Sequence, residues 1–183
     1  RVPVHLIDIC EPGTKYNVYQ YQQDFIASFR EIQSREKNAI LCGGSGMYIE
    51  AIIKEYELIA VPHNPELRKK LEPEEISSLT DWLKSYKNLH NISDTSDKER
   101  LIRAIEIAEY YAQHPDFAME KTGINHLVLG IKFDRDSRRR RISERLKQRL
   151  DSGMAEEVKS LMESGIDSET LIYYGLEYKY LAL

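Results

Sequence analysis

A glycine-rich turn constrains the fold more than any other stretch of the sequence. An apolar run from Ala39 to Cys42 precedes it, and apolar residues at helical spacing, from Ile49 to Tyr56, follow it. The order predicts a strand, a tight turn and a helix. Turns of this kind often lie where ligands bind, because the free N–H groups at a helix start favour anions, but tight turns need glycine without any ligand as well. The residues of the turn are Gly43, Gly44, Ser45 and Gly46.

Two further apolar runs surround this unit. Residues Val4 to Ile9 form the first and end before the breaker pair Pro12-Gly13, and His126 to Phe133 form the second. Between the first run and the glycine turn, Asn17 is a suitable N-cap for a helix that reaches about Ser34. Alternating strands and helices over such short distances predict a parallel βαβ sheet with right-handed crossovers.

The middle of the chain has a different pattern. Pro62, Pro65 and Pro73 interrupt it, and short charged amphipathic pieces lie between them. The pattern predicts a small helical insertion over residues 62–96, which separates a first core part, 1–61, from a second, 97–183. The second part begins with Ser96-Asp97-Lys98-Glu99, which has the spacing of a capping box.

Composition excludes some classes of protein. Of the 183 residues, 42% are hydrophobic and 31% are charged, and no apolar run is long enough to span a membrane. No secretory or transit peptide is visible. Cys10 and Cys42 both end apolar runs, so we expect them to be small buried residues in a reducing compartment, which predicts a cytoplasmic location.

Basic residues are strongly clustered, although the net charge is −4. Eight Lys or Arg residues and only two acids lie between Arg135 and Arg149. The sequence predicts a long helix that follows Asp134-Arg135-Asp136 and extends to about Ser152, and a second helix from Met154 to Glu163. Four of the arginines recur at helical spacing in the long helix and predict a cationic ridge beside an apolar stripe. The ridge is suited to phosphate, because guanidinium groups bind phosphate oxygens in pairs, but it is equally compatible with a solvated face. Its arginines are Arg138, Arg141, Arg145 and Arg149.

A second pair of arginines lies near the start of a predicted helix. Arg100 and Arg103 are unfavourable there for the helix dipole, which suggests a functional reason for them. Pairing with Glu99 or Glu106 is the alternative explanation.

Taken together, these stretches resemble the tRNA dimethylallyltransferases, also called tRNA isopentenyltransferases, over nearly the whole chain. Four motifs of that family are present in the right order. They are Val4-His5-Leu6-Ile7-Asp8 with Pro12 and Tyr16-Asn17-Val18; Cys42-Gly43-Gly44-Ser45-Gly46-Met47-Tyr48-Ile49-Glu50-Ala51; Glu99-Arg100-Leu101-Ile102-Arg103-Ala104-Ile105-Glu106; and Arg141-Ile142 with Arg145, Gly153, Glu156-Glu157-Val158 and Leu161.

The resemblance implies an α/β fold like that of P-loop kinases: a parallel sheet flanked by helices, with a small helical insertion. It also implies an enzyme that transfers a dimethylallyl group from dimethylallyl diphosphate to the exocyclic amine of the adenosine beside the tRNA anticodon. Mg²⁺ and a cationic cluster would then stabilise the leaving diphosphate. We expect tRNA and dimethylallyl diphosphate as partners, no membrane, and a monomer.

Roles follow from the resemblance residue by residue. Arg141 and Arg145 match arginines assigned to the diphosphate, and the turn from Gly43 to Gly46 matches a loop that lines the reaction channel. Arg100, Arg103 and Arg138 are expected near tRNA or diphosphate. His5 and Asp8 match the early strand motif, where a structural pair is an equally good explanation.

The chain also departs from the family pattern. Val4 replaces a histidine, Ser45 a threonine and Met47 a leucine, and Gly175-Leu176-Glu177-Tyr178-Lys179 differs from the usual tRNA-contacting motif. The family's N-terminal strand, P-loop and general-base aspartate are absent from these residues, and we expect them upstream. No catalytic residue is therefore assigned here, the metal ligands are unknown, and we expect the 183-residue chain to be inactive by itself.

Two other functions remain open from the sequence. The first is a P-loop kinase-like nucleotide-binding domain without prenyl chemistry. The second is a non-catalytic RNA-binding relative that uses the arginine ridge, for which steep salt dependence of RNA binding is expected.

Overall fold

The computed structural model describes residues 2–86, 97–115 and 123–183. Within these ranges the chain forms nine α-helices and no β-strand. The helices are α1 (Val18–Ser34), α2 (Gly46–Ile53), α3 (Pro65–Leu71), α4 (Ile76–Tyr86), α5 (Lys98–Gln113), α6 (Arg135–Asp151), α7 (Met154–Glu163), α8 (Ser168–Tyr174) and α9 (Leu176–Ala182).

The predicted α/β fold with a parallel sheet is therefore wrong for the described residues. The three apolar runs expected to be strands have no regular secondary structure. Strands of a parallel sheet are normally buried on both faces, yet Ile40 is 90% exposed and Ile131 is 86% exposed. Without a neighbouring strand to accept and donate ladder hydrogen bonds, an apolar run has the composition of a strand but not its structure.

Backbone geometry adds a local reason in the first run. Leu6 and Asp8 have φ angles of 59° and 53°, in the left-handed region. Two such residues interrupt the extended conformation that a strand needs. Residues with a Cβ rarely adopt the left-handed conformation. The predicted burial of the cysteines is also wrong, since Cys10 and Cys42 are both exposed.

Helix boundaries agree much better with the sequence. The helix predicted from Asn17 to about Ser34 is α1, and the Asn17 side chain accepts a hydrogen bond from the backbone N–H of Gln20 at 3.0 Å. The Gln20 side chain accepts one in return from the Asn17 N–H, which completes a capping box. At the start of α5 the N-cap is Asp97, while Ser96 lies outside the described residues.

The chain divides into two units, Arg1–Lys54 with Gly123–Leu183, and Glu55–Thr122. The predicted insertion over 62–96 falls within the second unit. The buried core of that unit joins α3, α4 and α5, and Trp82, on α4, is 38% exposed. The core residues are Leu67, Leu71, Leu79, Leu83, Leu101, Ile102 and Ile105.

In the first unit, α2 packs on α1. The buried Gln22 side chain donates to the carbonyl of Ala51 at 3.1 Å, and the Tyr21 and Tyr48 rings meet edge to face at 4.9 Å. These contacts fix α2, and with it the adjoining glycine turn, against α1.

Tyrosines of the first unit also hold the loop before α1. The carbonyl of Tyr16 accepts hydrogen bonds from the hydroxyls of Tyr48 at 3.3 Å and Tyr173 at 2.9 Å. The backbone N–H of Gly13 donates to the Tyr174 hydroxyl. The N-terminal loop is thus tied to both α2 and α8.

No helix in the described ranges is long and apolar enough to cross a membrane.

Candidate functional site

The glycine turn leads directly into α2. Ser45 is the N-cap residue, in an extended conformation, and its carbonyl accepts from the N–H groups of Tyr48 and Ile49. No φ of Gly43, Gly44 or Gly46 is positive. A Cβ would meet nothing within 4 Å at Gly44 or Gly46, and only Ile49 at 3.8 Å when placed on Gly43. Neither backbone conformation nor packing in the described residues therefore requires glycine at this turn.

The arginine-rich helix α6 begins at a well-formed cap. The Asp134 carboxylate accepts a hydrogen bond from the backbone N–H of Ser137 at 2.8 Å. This bond, together with one from the Ser137 side chain, holds the pKa of Asp134 below its ordinary value. The cap therefore remains charged and fixes where the helix starts. The predicted helix to about Ser152 is confirmed, since α6 ends at Asp151.

The face of α6 that carries the arginine ridge is open to solvent. No residue of α6 is buried, and Arg138, Arg141 and Arg145 are exposed. The Arg141 guanidinium lies over the Phe133 ring, 4.3 Å from its centroid. Arg138 and Arg141 form no ion pair with any described residue. Their charges are available to an anion from solvent.

Arg145 and Arg149 differ from their neighbours because a carboxylate lies between them. Glu177, in the first turn of α9, contacts Arg149 directly and approaches Arg145 at 3.8 Å. The Arg149 guanidinium also lies 6.0 Å from the centre of the Tyr178 ring, and the Tyr178 hydroxyl donates to Glu157 at 2.7 Å. That hydrogen bond and burial raise the pKa of Tyr178.

Arg103 is in a different environment, on α5 in the second unit. Its guanidinium donates to the carbonyl of Val61 at 2.7 Å and to the Glu106 carboxylate at 3.1 Å. Arg68 donates to both oxygens of Glu106, each at 2.8 Å, and the backbone N–H of Asn64 adds a fourth bond at 2.9 Å. The alternative explanation from the sequence, pairing of Arg103 with Glu106, is the one observed.

The Glu106 side chain is only 1% exposed. Burial raises the pKa of this carboxyl, but the hydrogen bonds from Arg68, Asn64 and Arg103 outweigh that effect and hold the pKa at about 2. Glu106 is therefore ionised at neutral pH. Arg100, one turn before Arg103, is 75% exposed and lies 3.9 Å from Asp97.

A cleft of about 410 Å³ lies in the first unit between the N-terminal loop and helices α7 to α9. Three carboxylates and three tyrosines contribute to its wall. A phosphate would be repelled by the carboxylates, so this cleft is unsuited to a diphosphate. These side chains are Asp8, Glu11, Glu157, Tyr16, Tyr174 and Tyr178.

The possible metal ligands of the described residues are scattered. No set of three or more His, Cys, Asp or Glu residues is arranged around a common point in ranges 2–86, 97–115 and 123–183. The residues of this part of the chain thus do not form an enclosing Mg²⁺ site. His5 and Asp8 are not part of any such set.

The structure places the predicted site residues in both units. The glycine turn, Arg138, Arg141 and Arg145 belong to the first unit, and Arg100 and Arg103 to the second. Sequence reasoning missed the contact of Glu177 with Arg149, because the two residues are 28 positions apart in the chain. It also missed Arg68, although the Asn64-Pro65 pair is a recognisable helix start that could have located α3.

Known proteins resemble this chain along its full length. A model of the family described as IPP transferase matches residues 1–183. The chain is 52% identical over 183 residues to tRNA dimethylallyltransferase 1 of Parabacteroides distasonis and 51% identical to tRNA dimethylallyltransferase 2 of Bacteroides fragilis. In both cases all of this chain is covered. It spans about 60% of the length of these curated relatives.

A solved structure is also similar. It is that of the full-length tRNA isopentenylpyrophosphate transferase from Bacillus halodurans, with a TM-score of 0.59 and 27% identity. The similarity covers 98% of this chain and 58% of that protein. The four sequence motifs, the family match and the identity of about 50% to the relatives agree, and the chain belongs to the IPP transferase family.

Proposed function

We propose that the protein containing this chain transfers a dimethylallyl group from dimethylallyl diphosphate to an adenosine amine of tRNA. In this reaction the bond between the allylic carbon and the diphosphate oxygen breaks. The exocyclic nitrogen forms the new bond to that carbon and loses a proton, and diphosphate leaves. The names of the relatives and the family match support this reaction class.

The observation that carries the proposal is the open arginine face of α6. Its arginines recur every three or four residues, and like charges at this spacing repel one another. Arg138 and Arg141 have no carboxylate partner among the described residues. A bound diphosphate would relieve this repulsion and would accept paired hydrogen bonds from guanidinium groups. We assign Arg141 and Arg145 to the diphosphate and Arg138 to diphosphate or tRNA.

The glycine turn supports the same function. Since neither φ nor packing requires glycine there, the missing side chains are explained by space for a ligand close to the backbone. We propose that Gly43, Gly44, Ser45 and Gly46 line the path of the substrate. Extrusion of the base from the anticodon arm would bring its amine to such a path.

Mg²⁺ is proposed only as a companion of the diphosphate. Mg²⁺ usually binds proteins through one or two carboxylates and substrate phosphates, but this part of the chain has no grouped ligands. No step of the reaction is assigned to the ion here.

The test uses the native-length protein with Arg141→Ala and Arg145→Ala. We expect each to lower kcat/KM for dimethylallyl diphosphate by about 10²-fold, the usual cost of removing one donor that stabilises developing charge. Affinity for tRNA, measured separately by filter binding, should change much less. The matched control is Arg140→Ala, since Arg140 is exposed on the opposite side of the same helix.

Loss of tRNA affinity with unchanged turnover at saturation would contradict the assignment to the diphosphate. It would favour the alternative in which the ridge binds RNA without taking part in catalysis. In that case the slope of log affinity against log salt should decrease by about one for each arginine removed.

A further inference from the structure

Glu177 is the one carboxylate that the described structure places against the arginine ridge. Its two oxygens face different arginines, one contacting Arg149 and the other lying 3.8 Å from the nearest nitrogen of Arg145. The side chain of Glu177 is 28% exposed. The carboxylate is therefore partly shielded from water, and its charge acts more strongly than that of a fully solvated group.

The two arginines are held to different degrees. Arg149 is 37% exposed and contacts both the carboxylate and the Tyr178 ring. Arg145 is 68% exposed, and its 3.8 Å separation from Glu177 is too long for a hydrogen bond. The negative charge of Glu177 attracts the Arg145 guanidinium without occupying its N–H donors, which remain available to a ligand.

Glu177 is itself fixed by its surroundings. It lies in the first turn of α9, where the helix dipole favours a negative charge. The next residue, Tyr178, is anchored to α7 through its hydrogen bond to Glu157. The carboxylate therefore has a defined position relative to the end of α6.

We propose that Glu177 is a positioning residue for Arg145: it offsets the repulsion between Arg145 and Arg149 and directs the Arg145 guanidinium toward the bound anion. The anion is the diphosphate of the substrate, so this inference rests on the proposed function. Arg149 is a structural partner of Glu177 in this arrangement and not a ligand of the diphosphate.

The experiment compares Glu177→Gln with the wild-type native-length protein. Pyrophosphate is the probe for binding, measured by calorimetry, and steady-state kinetics are measured with dimethylallyl diphosphate. We expect pyrophosphate affinity to fall about five-fold and KM to rise by a similar factor, the scale of one partly exposed ion pair. The value of kcat should also fall, but kcat/KM should lose less than the about 10²-fold expected for Arg145→Ala, because Glu177→Gln releases the Arg145 guanidinium without removing its donors.

Two further variants separate positioning from folding. Glu177→Asp keeps the charge and should recover at least half of the lost affinity. Glu163→Gln is the matched control, since Glu163 forms a similar pair with Lys159 at 3.9 Å on α7, and it should leave pyrophosphate affinity unchanged. In an Arg145→Ala background, Glu177→Gln should have no further effect on affinity.

Every result bears on one of the two proposals. Unchanged or tighter pyrophosphate binding in Glu177→Gln would overturn the positioning role, and tighter binding would mean that the carboxylate competes with the anion. If Arg141→Ala and Arg145→Ala leave pyrophosphate binding intact, or if the wild type binds none, the diphosphate assignment fails and the positioning role fails with it. A large effect of those arginine variants without any effect of Glu177→Gln would overturn the positioning role alone.

Discussion

Arginines of both α5 and α6 are predicted to bind a substrate, but they occupy opposite environments. Arg103 on α5 donates to two backbone carbonyls and to a carboxylate that is 1% exposed. Arg138 and Arg141 on α6 are exposed and have no carboxylate partner among the described residues. A guanidinium whose donors already bind protein groups stabilises the fold, whereas one with free donors can bind a ligand. Residue type and helical spacing alone do not distinguish the two.

The largest effect expected from this comparison is on stability. Glu106→Ala leaves Arg68 and Arg103 without their buried partner, and should lower the free energy of unfolding of the second unit by about 3–5 kcal/mol. Denaturant unfolding followed by Trp82 fluorescence measures it. Glu99→Ala, an exposed acid on the same helix, is the control and should stay within about 0.5 kcal/mol of wild type. A loss below about 1 kcal/mol would show that the Glu106 cluster is not structural.

The free energy of unfolding should depend on pH through the Glu106 carboxylate. The pKa of Glu106 is about 2 in the folded chain, below its ordinary value of 4.5. A lowered pKa means that the stabilisation is complete above pH 4.5 and is lost as the pH falls towards 2, by up to about 3 kcal/mol. Unfolding measured between pH 5 and 2 tests this, roughly the range over which the carboxyl titrates. In Glu106→Gln this part of the pH dependence should disappear, and its persistence would assign it to other acids.

A smaller effect on stability is expected for Arg103→Ala, and it should distinguish the structural arginine of α5 from the arginines of α6. Arg103→Ala removes charge-assisted hydrogen bonds and should cost about 2 kcal/mol of stability. Turnover per folded molecule of the native-length protein should stay within about two-fold of wild type, in contrast to the loss expected for Arg145→Ala. Assays under conditions in which nearly all molecules are folded separate the effect on turnover from the effect on stability. A strong loss of turnover without loss of stability would indicate that Arg103 binds a substrate.

Local structure was largely predictable from the sequence. Asn17, Asp134 and the apolar spacing that follows each of them located α1 and α6 within a residue or two, because a cap and the stripe behind it are both local signals. The predicted helix from Met154 to Glu163 is α7, which has these same bounds.

Long-range structure was not predictable in the same way. The run from His126 to Phe133 has strand composition, but a strand exists only when another strand pairs with it, and no residue of the run can specify that. The contacts of Glu106 with Arg68 and of Glu177 with Arg149 join residues 38 and 28 positions apart. The roles predicted for Arg141 and Arg145 remain predictions, supported by their exposure.

The placement of aromatic residues gives each unit its own optical signal. Trp82, the chain's single tryptophan, lies on α4 in the second unit, whereas the tyrosines that hold the N-terminal loop are in the first. Selective excitation of tryptophan therefore reports on the Glu106 unit alone. Most of the chain's 12 tyrosines, including Tyr16, Tyr48 and Tyr173, belong to the unit that carries the arginine ridge, so the tyrosine part of the near-ultraviolet circular dichroism reports mainly on that unit. One sample can thus show whether the two units unfold together or in sequence, without any label.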